Sequence, residues 1–147
     1  MHPFPHQYTV NAAVRPDGDV PLSTEGVRVI ESSAPKQFDG PGNQWSPEGL
    51  LTAAVADCFA LGFREIARAS RFEWRHLDVR TEGTLERIDG KMLFTRFDTH
   101  AKLQLAAGAN VERAKKLLEK AESTCLIANS LRSDRHLTVE VSVSPPG

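Results

Sequence analysis

Cysteine is scarce in this 147-residue chain. The two present, Cys58 and Cys125, are too few for a disulfide-stapled secreted mini-protein. An excess of either charge is also missing. Lys and Arg total 18 against 19 Asp and Glu, well mixed along the chain, for a net charge of −1. No basic stripe offers a footprint for nucleic acid, so no such partner is expected. No apolar run reaches the ~20 residues of a membrane span. The longest, Gly49 to Phe63, is interrupted by Asp57 and ends at Arg64-Glu65. Met1-His2-Pro3-Phe4-Pro5-His6 has no Lys or Arg before an apolar core, so no signal peptide is expected. The 10 Gly and 9 Pro follow no period, which excludes collagen and low-complexity linkers. What remains is 40% apolar and 25% charged, ordinary for a globular protein, and the length suits a single domain over residues 1–147. The expected compartment is the reducing cytoplasm, where a thiol pair is more often catalytic, redox-active or metal-binding than structural.

The first part reads as a small antiparallel meander. Tyr8, Val10, Ala12 and Val14 alternate with Thr9, Asn11 and Ala13, the period of a half-buried strand. Turns at Pro16-Asp17-Gly18-Asp19 and Ser23-Thr24-Glu25-Gly26 set off short strands at Val20 and Leu22 and at Val27, Val29 and Ile30. Residues 31–45 read as a surface loop. Ser46-Pro47-Glu48 then opens a helix: Ser46 caps free amides, Pro47 suits the first helical position, and Glu48 favours the positive end of the dipole. The helix is expected to run to about Ala69. Its first half, Leu50 to Leu61, is apolar nearly all round, which a small domain rarely buries alone, so a second subunit is expected to cover part of it.

After Trp74 the period returns to two. Leu77, Val79 and Thr81 form one strand face, and Phe97, Thr99, Ala101, Leu103 and Leu105 another, with a hairpin at Asp89-Gly90. Gly83 is a candidate bulge. Asn110 caps an amphipathic helix with the stripe Val111, Ala114, Leu117, Leu118 and Ala121. A short helical piece at 126–131 and a strand carrying Val139, Val141 and Val143 close the chain. The order β-β-β-α-β-β-α-β is an α+β pattern.

Chemistry points to the cysteines. Cys58 alone reads equally well as a small buried hydrophobe. The pair is not a C-x-x-C motif, and no His lies near either Cys in sequence, which disfavours structural zinc. The five histidines, His2, His6, His76, His100 and His136, are scattered without metal-ligand spacing and suit surface or strand-edge roles. Ser46-Pro47-Glu48-Gly49-Leu50-Leu51, then Ala53-Ala54 and Ala56-Asp57-Cys58-Phe59, resembles the central-helix signature of the OsmC/Ohr family of osmotically inducible and organic hydroperoxide resistance proteins. The likeness rests on the Pro-Glu start, the alanine-rich helix, and a Cys ten positions after the Glu. Cys125, after an amphipathic helix, matches the family's second Cys. Arg15, before a turn and short strand, matches its N-terminal active-site Arg. Leu126 stands where many members carry Pro, which suggests a subgroup, and Asp57 stands where a small residue is common.

The resemblance implies an OsmC-like fold of antiparallel sheets around a buried central helix, in an intertwined homodimer. It also implies a thiol peroxidase. Cys58 would attack an organic hydroperoxide, Cys125 would condense with the resulting sulfenic acid, and an external dithiol would reduce the disulfide, with no metal, haem or flavin. The attacking species is a thiolate, and a mid-helix Cys58 gains nothing from the helix N-terminus. Arg15 is the candidate cation and Glu48 the carboxylate that holds it. Each has a plainer role, Arg15 as a turn residue and Glu48 as a helix-start acid. Ten residues of helix separate Glu48 from Cys58 by about 15 Å, so a shared site would draw Glu48 from the partner subunit. Trp45, Phe59 and Phe63 are candidate pocket walls, with core packing the alternative. A redox-responsive binding dimer with little turnover competes with the peroxidase. A Cys hydrolase is disfavoured, because no paired His or oxyanion-hole motif is evident.

Overall fold

The structure, a computed structural model, describes residues 1–145. The chain forms two compact units, Met1–Leu50 and everything from Leu51 on. The division falls in the first turns of the long helix.

In the first unit, β1 (Asn11–Ala12), β2 (Val20–Ser23) and β3 (Ile30–Ser32) form an antiparallel sheet in chain order. The expected first strand shrinks to two residues. Tyr8, Val10 and Val14 are exposed, so their alternation has no core face to fix it. A 3-10 turn, Lys36–Phe38, interrupts the loop that follows. Ser33 N donates to Trp45 O at 2.9 Å, tying that loop's end back to β3.

Helix α1 spans Pro47–Ala69, as the sequence predicts. Ser46 Oγ accepts a hydrogen bond from Gly49 N at 3.0 Å, and Ser46 O accepts from Leu50 N at 2.8 Å. Those are the capping bonds that free amides at a helix start require. Its own chain fully buries only Val55, Phe59, Phe63 and Ala67, a line at every fourth residue. Leu50, Leu51, Ala53, Ala54, Ala56 and Ala60 are half-buried, and Leu61 is exposed.

The second unit holds β4 (His76–Ile88), β5 (Lys91–Leu105) and β6 (Asp134–Val143) in one sheet with β5 central. Asp89 (φ 49°) and Gly90 (φ 79°) make the two-residue turn, both residues in the left-handed region that such hairpins need. The register shifts between Thr84 and Leu85, beside Gly83 rather than on it. Gly83 serves a close approach instead: a Cβ there would lie 2.8 Å from Phe97 Cε1 and 3.0 Å from Thr52 Oγ1.

The all-antiparallel expectation holds for the first sheet and for β4–β5, but β6 joins β5 in parallel. The connection from β5 passes through a helix before β6, and such a crossover brings the chain back in the same direction. That helix is α2 (Val111–Ser123), capped by Asn110 Oδ1, which accepts from Arg113 N at 3.0 Å. A four-residue helix, α3 (Leu126–Asn129), follows at once. Phe59, Phe63 and Ala67 of α1, Ala101, Leu103 and Leu105 of β5, and Ala114, Leu118 and Ala121 of α2 share one core. Trp74 closes it, edge-on to Phe63 at 5.3 Å.

Candidate functional site

The period of α1 decides where the first thiol lies. Val55, Phe59 and Phe63 face the core, and Cys58 sits one position off that line, half-buried at its edge. Asp57, its neighbour, is exposed. Cys125 continues the buried stripe of α2 by one more turn after Leu118 and Ala121, and is 3% exposed. It is also the residue before α3, in extended conformation.

These two periodicities bring together cysteines that are far apart in the chain. Both are free thiols, and the Cys58 sulfur lies near enough to bear on the ionisation of Cys125. Burial pushes the Cys125 thiol above its ordinary range. The neighbouring Cys58 sulfur adds to that rise, while the Ala128 and Ile127 amides oppose it. The proton on Cys125 is therefore held more firmly than on a free cysteine.

A polar framework brackets Cys125. Cys125 N donates to Glu122 O at 3.3 Å, and Cys125 O accepts from Asn129 N at 2.9 Å. Arg135, on β6, donates from Nε to Glu122 Oε1 at 2.8 Å, from Nη1 to Asn129 Oδ1 at 2.6 Å, and from Nη2 to Glu122 O. Nothing in the sequence pairs this arginine with Cys125. The available signal was its place on the inward side of the alternation Arg135, Leu137, Val139, Val141, where an apolar residue is the rule.

Arg15 and Glu48 belong to the first unit. Arg15 is exposed in the loop after β1. Glu48, on the first turn of α1, is half-buried with Oε1 shielded from water. It lines an open cavity of about 600 Å³ otherwise walled mostly by apolar residues, among them Leu22, Pro35, Phe38 and Leu50. Arg15 does not line that cavity. Phe59 and Phe63 are fully buried core residues, which decides for core packing over a pocket wall, and Trp45 is exposed. His2, His76, His100 and His136 are exposed. Among the described residues, no three His, Cys, Asp or Glu lie together in a way that could hold a metal ion. No helix among them is long and apolar enough to cross a membrane.

An α+β domain that carries one thiol on a long helix and sets a second against it at the end of an amphipathic helix defines a two-cysteine class of protein. The chain belongs to the OsmC-like protein family, whose model matches residues 40–141. It is 29% identical over 132 residues to YmaD of Bacillus subtilis, an uncharacterised protein, covering 88% of each chain. Its fold is similar to that of an OsmC-like protein of unknown function from Vibrio cholerae, with a TM-score of 0.84 at 17% identity over 92% of this chain and 99% of that one. It is also similar to an organic hydroperoxide resistance protein OsmC from Legionella pneumophila, with a TM-score of 0.73 at 25% identity over 94% of this chain and 98% of that one.

Proposed function

We propose that this protein is a thiol peroxidase that reduces organic hydroperoxides to alcohols. What supports it is two free cysteines, with the Cys58 sulfur near enough to bear on the ionisation of Cys125. The Legionella pneumophila relative named for organic hydroperoxide resistance supports the substrate class. The Cys58 thiolate attacks the distal peroxide oxygen, the O–O bond breaks, and the alkoxide leaves as ROH after taking a proton, with a sulfenic acid left on Cys58. The half-buried Cys58 meets the peroxide first. The buried Cys125, which holds its proton, is the resolving thiol. Its sulfur bonds to Cys58 with loss of water, and a dithiol then returns both residues to thiols.

In this reading the exposed Arg15 activates Cys58, and Glu48 from the other copy of an intertwined homodimer holds Arg15 in place. The family match runs across the division between the two units, which supports one OsmC-like domain over residues 1–147. The proposed reaction takes place in the cytoplasm and uses no metal, haem or flavin.

The test is peroxide consumption with a small dithiol as reductant. Wild-type protein should consume cumene hydroperoxide at least about tenfold faster than hydrogen peroxide, since each buried methylene contributes roughly 0.8 kcal/mol. Cys58→Ser should abolish consumption, and Cys125→Ser should permit one oxidation and then accumulate sulfinic acid on Cys58. Sulfinic acid on Cys125 in Cys58→Ser, with consumption intact, would reverse the two roles. Oxidation of the pair without turnover would favour a redox-responsive binding dimer.

A further inference from the structure

Arg135 occupies an inward position on β6, opposite Phe97 of β5, and its side chain is 26% exposed. A cation placed there needs a strong reason, because the rest of that face is apolar core. All three of its recorded hydrogen bonds go to one segment, and they reach it on both sides of Cys125. Two end on Glu122, one at the carboxylate and one at the backbone carbonyl, and the third ends on Asn129. The same Glu122 carbonyl accepts the Cys125 amide, and Asn129 donates its own amide to the Cys125 carbonyl. Asn129 Nδ2 also reaches back to Ser123 O at 3.2 Å.

Glu122 would otherwise be badly placed. A carboxylate in the last turn of α2 opposes the helix dipole and lies beside carbonyls that have no partner within the helix. The Arg135 fork offsets both, and its planar donors fix direction as well as charge.

We propose that Arg135 is the positioning residue for Cys125: its grip on Glu122 and Asn129 holds the α2–α3 turn so that the second thiol stays against Cys58. The inference rests on the peroxidase reading and concerns its second step. There Cys125–SH and Cys58–SOH give the disulfide and water: an S–S bond forms, the S–O bond breaks, and the thiol proton leaves with the hydroxyl. Arg135 touches neither peroxide nor sulfur. It acts only through the turn.

The experiment is a single turnover of the reduced full chain with one equivalent of cumene hydroperoxide, followed by mass spectrometry. Sulfenic acid on Cys58 is trapped with dimedone, and the disulfide is counted separately. Arg135→Gln should leave sulfenic acid formation at the wild-type rate and slow disulfide formation about ten- to hundredfold, the effect of a small misplacement of a reacting group. Arg135→Lys should recover part of the loss, since it keeps the charge and loses the fork. Asn129→Ala, which removes one arm of the grip, should slow the same step less and serves if Arg135→Gln does not fold. Leu118→Ala should lower stability without changing the disulfide step, which separates positioning from general destabilisation. Wild-type disulfide rates in both Arg135→Gln and Asn129→Ala would overturn the proposal. If the wild-type protein takes no oxygen from peroxide, the peroxidase reading fails. Diamide, which oxidises the dithiol directly, then tests the grip alone: slower closure in the variants supports it, and equal closure overturns it.

Discussion

At the scale of single residues, the protonation of Cys125 has a consequence for stability. Burial, and after it Cys58, raises its pKa in the folded state. Between the ordinary thiol value of about 8.5 and that raised value, the unfolded chain has lost the proton and the folded one keeps it. The folded state then binds more protons, so stability falls as pH rises through this window and is unaffected below it. Urea midpoints of the reduced protein from about pH 7 to 10 should drop more steeply for wild type than for Cys125→Ser. Parallel profiles would mean that Cys125 titrates as a free thiol. Arg15 is tested by the same peroxide assay. A hydrogen bond to a charged group contributes about 1.5–3 kcal/mol, so Arg15→Ala should slow Cys58 oxidation about ten- to hundredfold with an unchanged circular dichroism spectrum. Arg15→Lys should recover part of that rate. An unchanged rate in Arg15→Ala would make Arg15 a turn residue and move attention to Arg64 and Arg132.

At the scale of elements, the contact between α1 and the sheet depends on Gly83. Its backbone conformation is open to any residue; its missing side chain is what Thr52, Phe94 and Phe97 require. Phe97 is 3% exposed and stacks on Phe94 with ring centroids 5.2 Å apart, so the Phe97 ring has little room to retreat. Gly83→Ala should therefore cost about 1–3 kcal/mol, the usual effect of overpacking. Chemical denaturation measures it, and a midpoint at or above the wild-type value would show that α1 can lift from the strand without penalty. The thiols ride on these elements. Cys58 takes its place from α1, and Cys125 from the last turn of α2 and the start of α3.

At the scale of the whole molecule, the apolar surface is unevenly covered. Among the described residues, every fully buried apolar side chain comes from the second unit; the first contributes only Ser32 and Ser46. Val10, Val14, Val27, Val29, Phe38 and Trp45 are exposed there, and Leu61 is exposed on α1. Packing these side chains against a second copy would remove apolar surface from water. A homodimer that covers it should give roughly twice the chain mass by light scattering at micromolar concentration, with a thermal midpoint that rises with protein concentration. A stable monomer would remove the cross-subunit role of Glu48 and leave the thiol pair untouched.

Local chemistry made much of this legible in the sequence. The Ser46-Pro47-Glu48 start fixed the beginning of α1, because capping and dipole effects are decided within one turn. Alternation marked the inner faces of β4, β5 and β6, and Asp89-Gly90 marked the hairpin, because few other residue pairs tolerate that turn. Both cysteines stood out against an otherwise ordinary composition, and the Glu48-to-Cys58 spacing carried the family. The parallel pairing of β6 was hidden, since a strand alternates in the same way whichever direction its neighbour runs. The short first strand was hidden too: Tyr8, Val10 and Val14 have the right period but nothing to pack against. Gly83 read as a bulge because close approach depends on Thr52 and Phe97, which only the packing brings near it. The grip of Arg135 on Glu122 and Asn129 belongs to the same kind. It joins a strand to a helix end through three hydrogen bonds whose partners the sequence does not pair, and only the tertiary structure places them around Cys125.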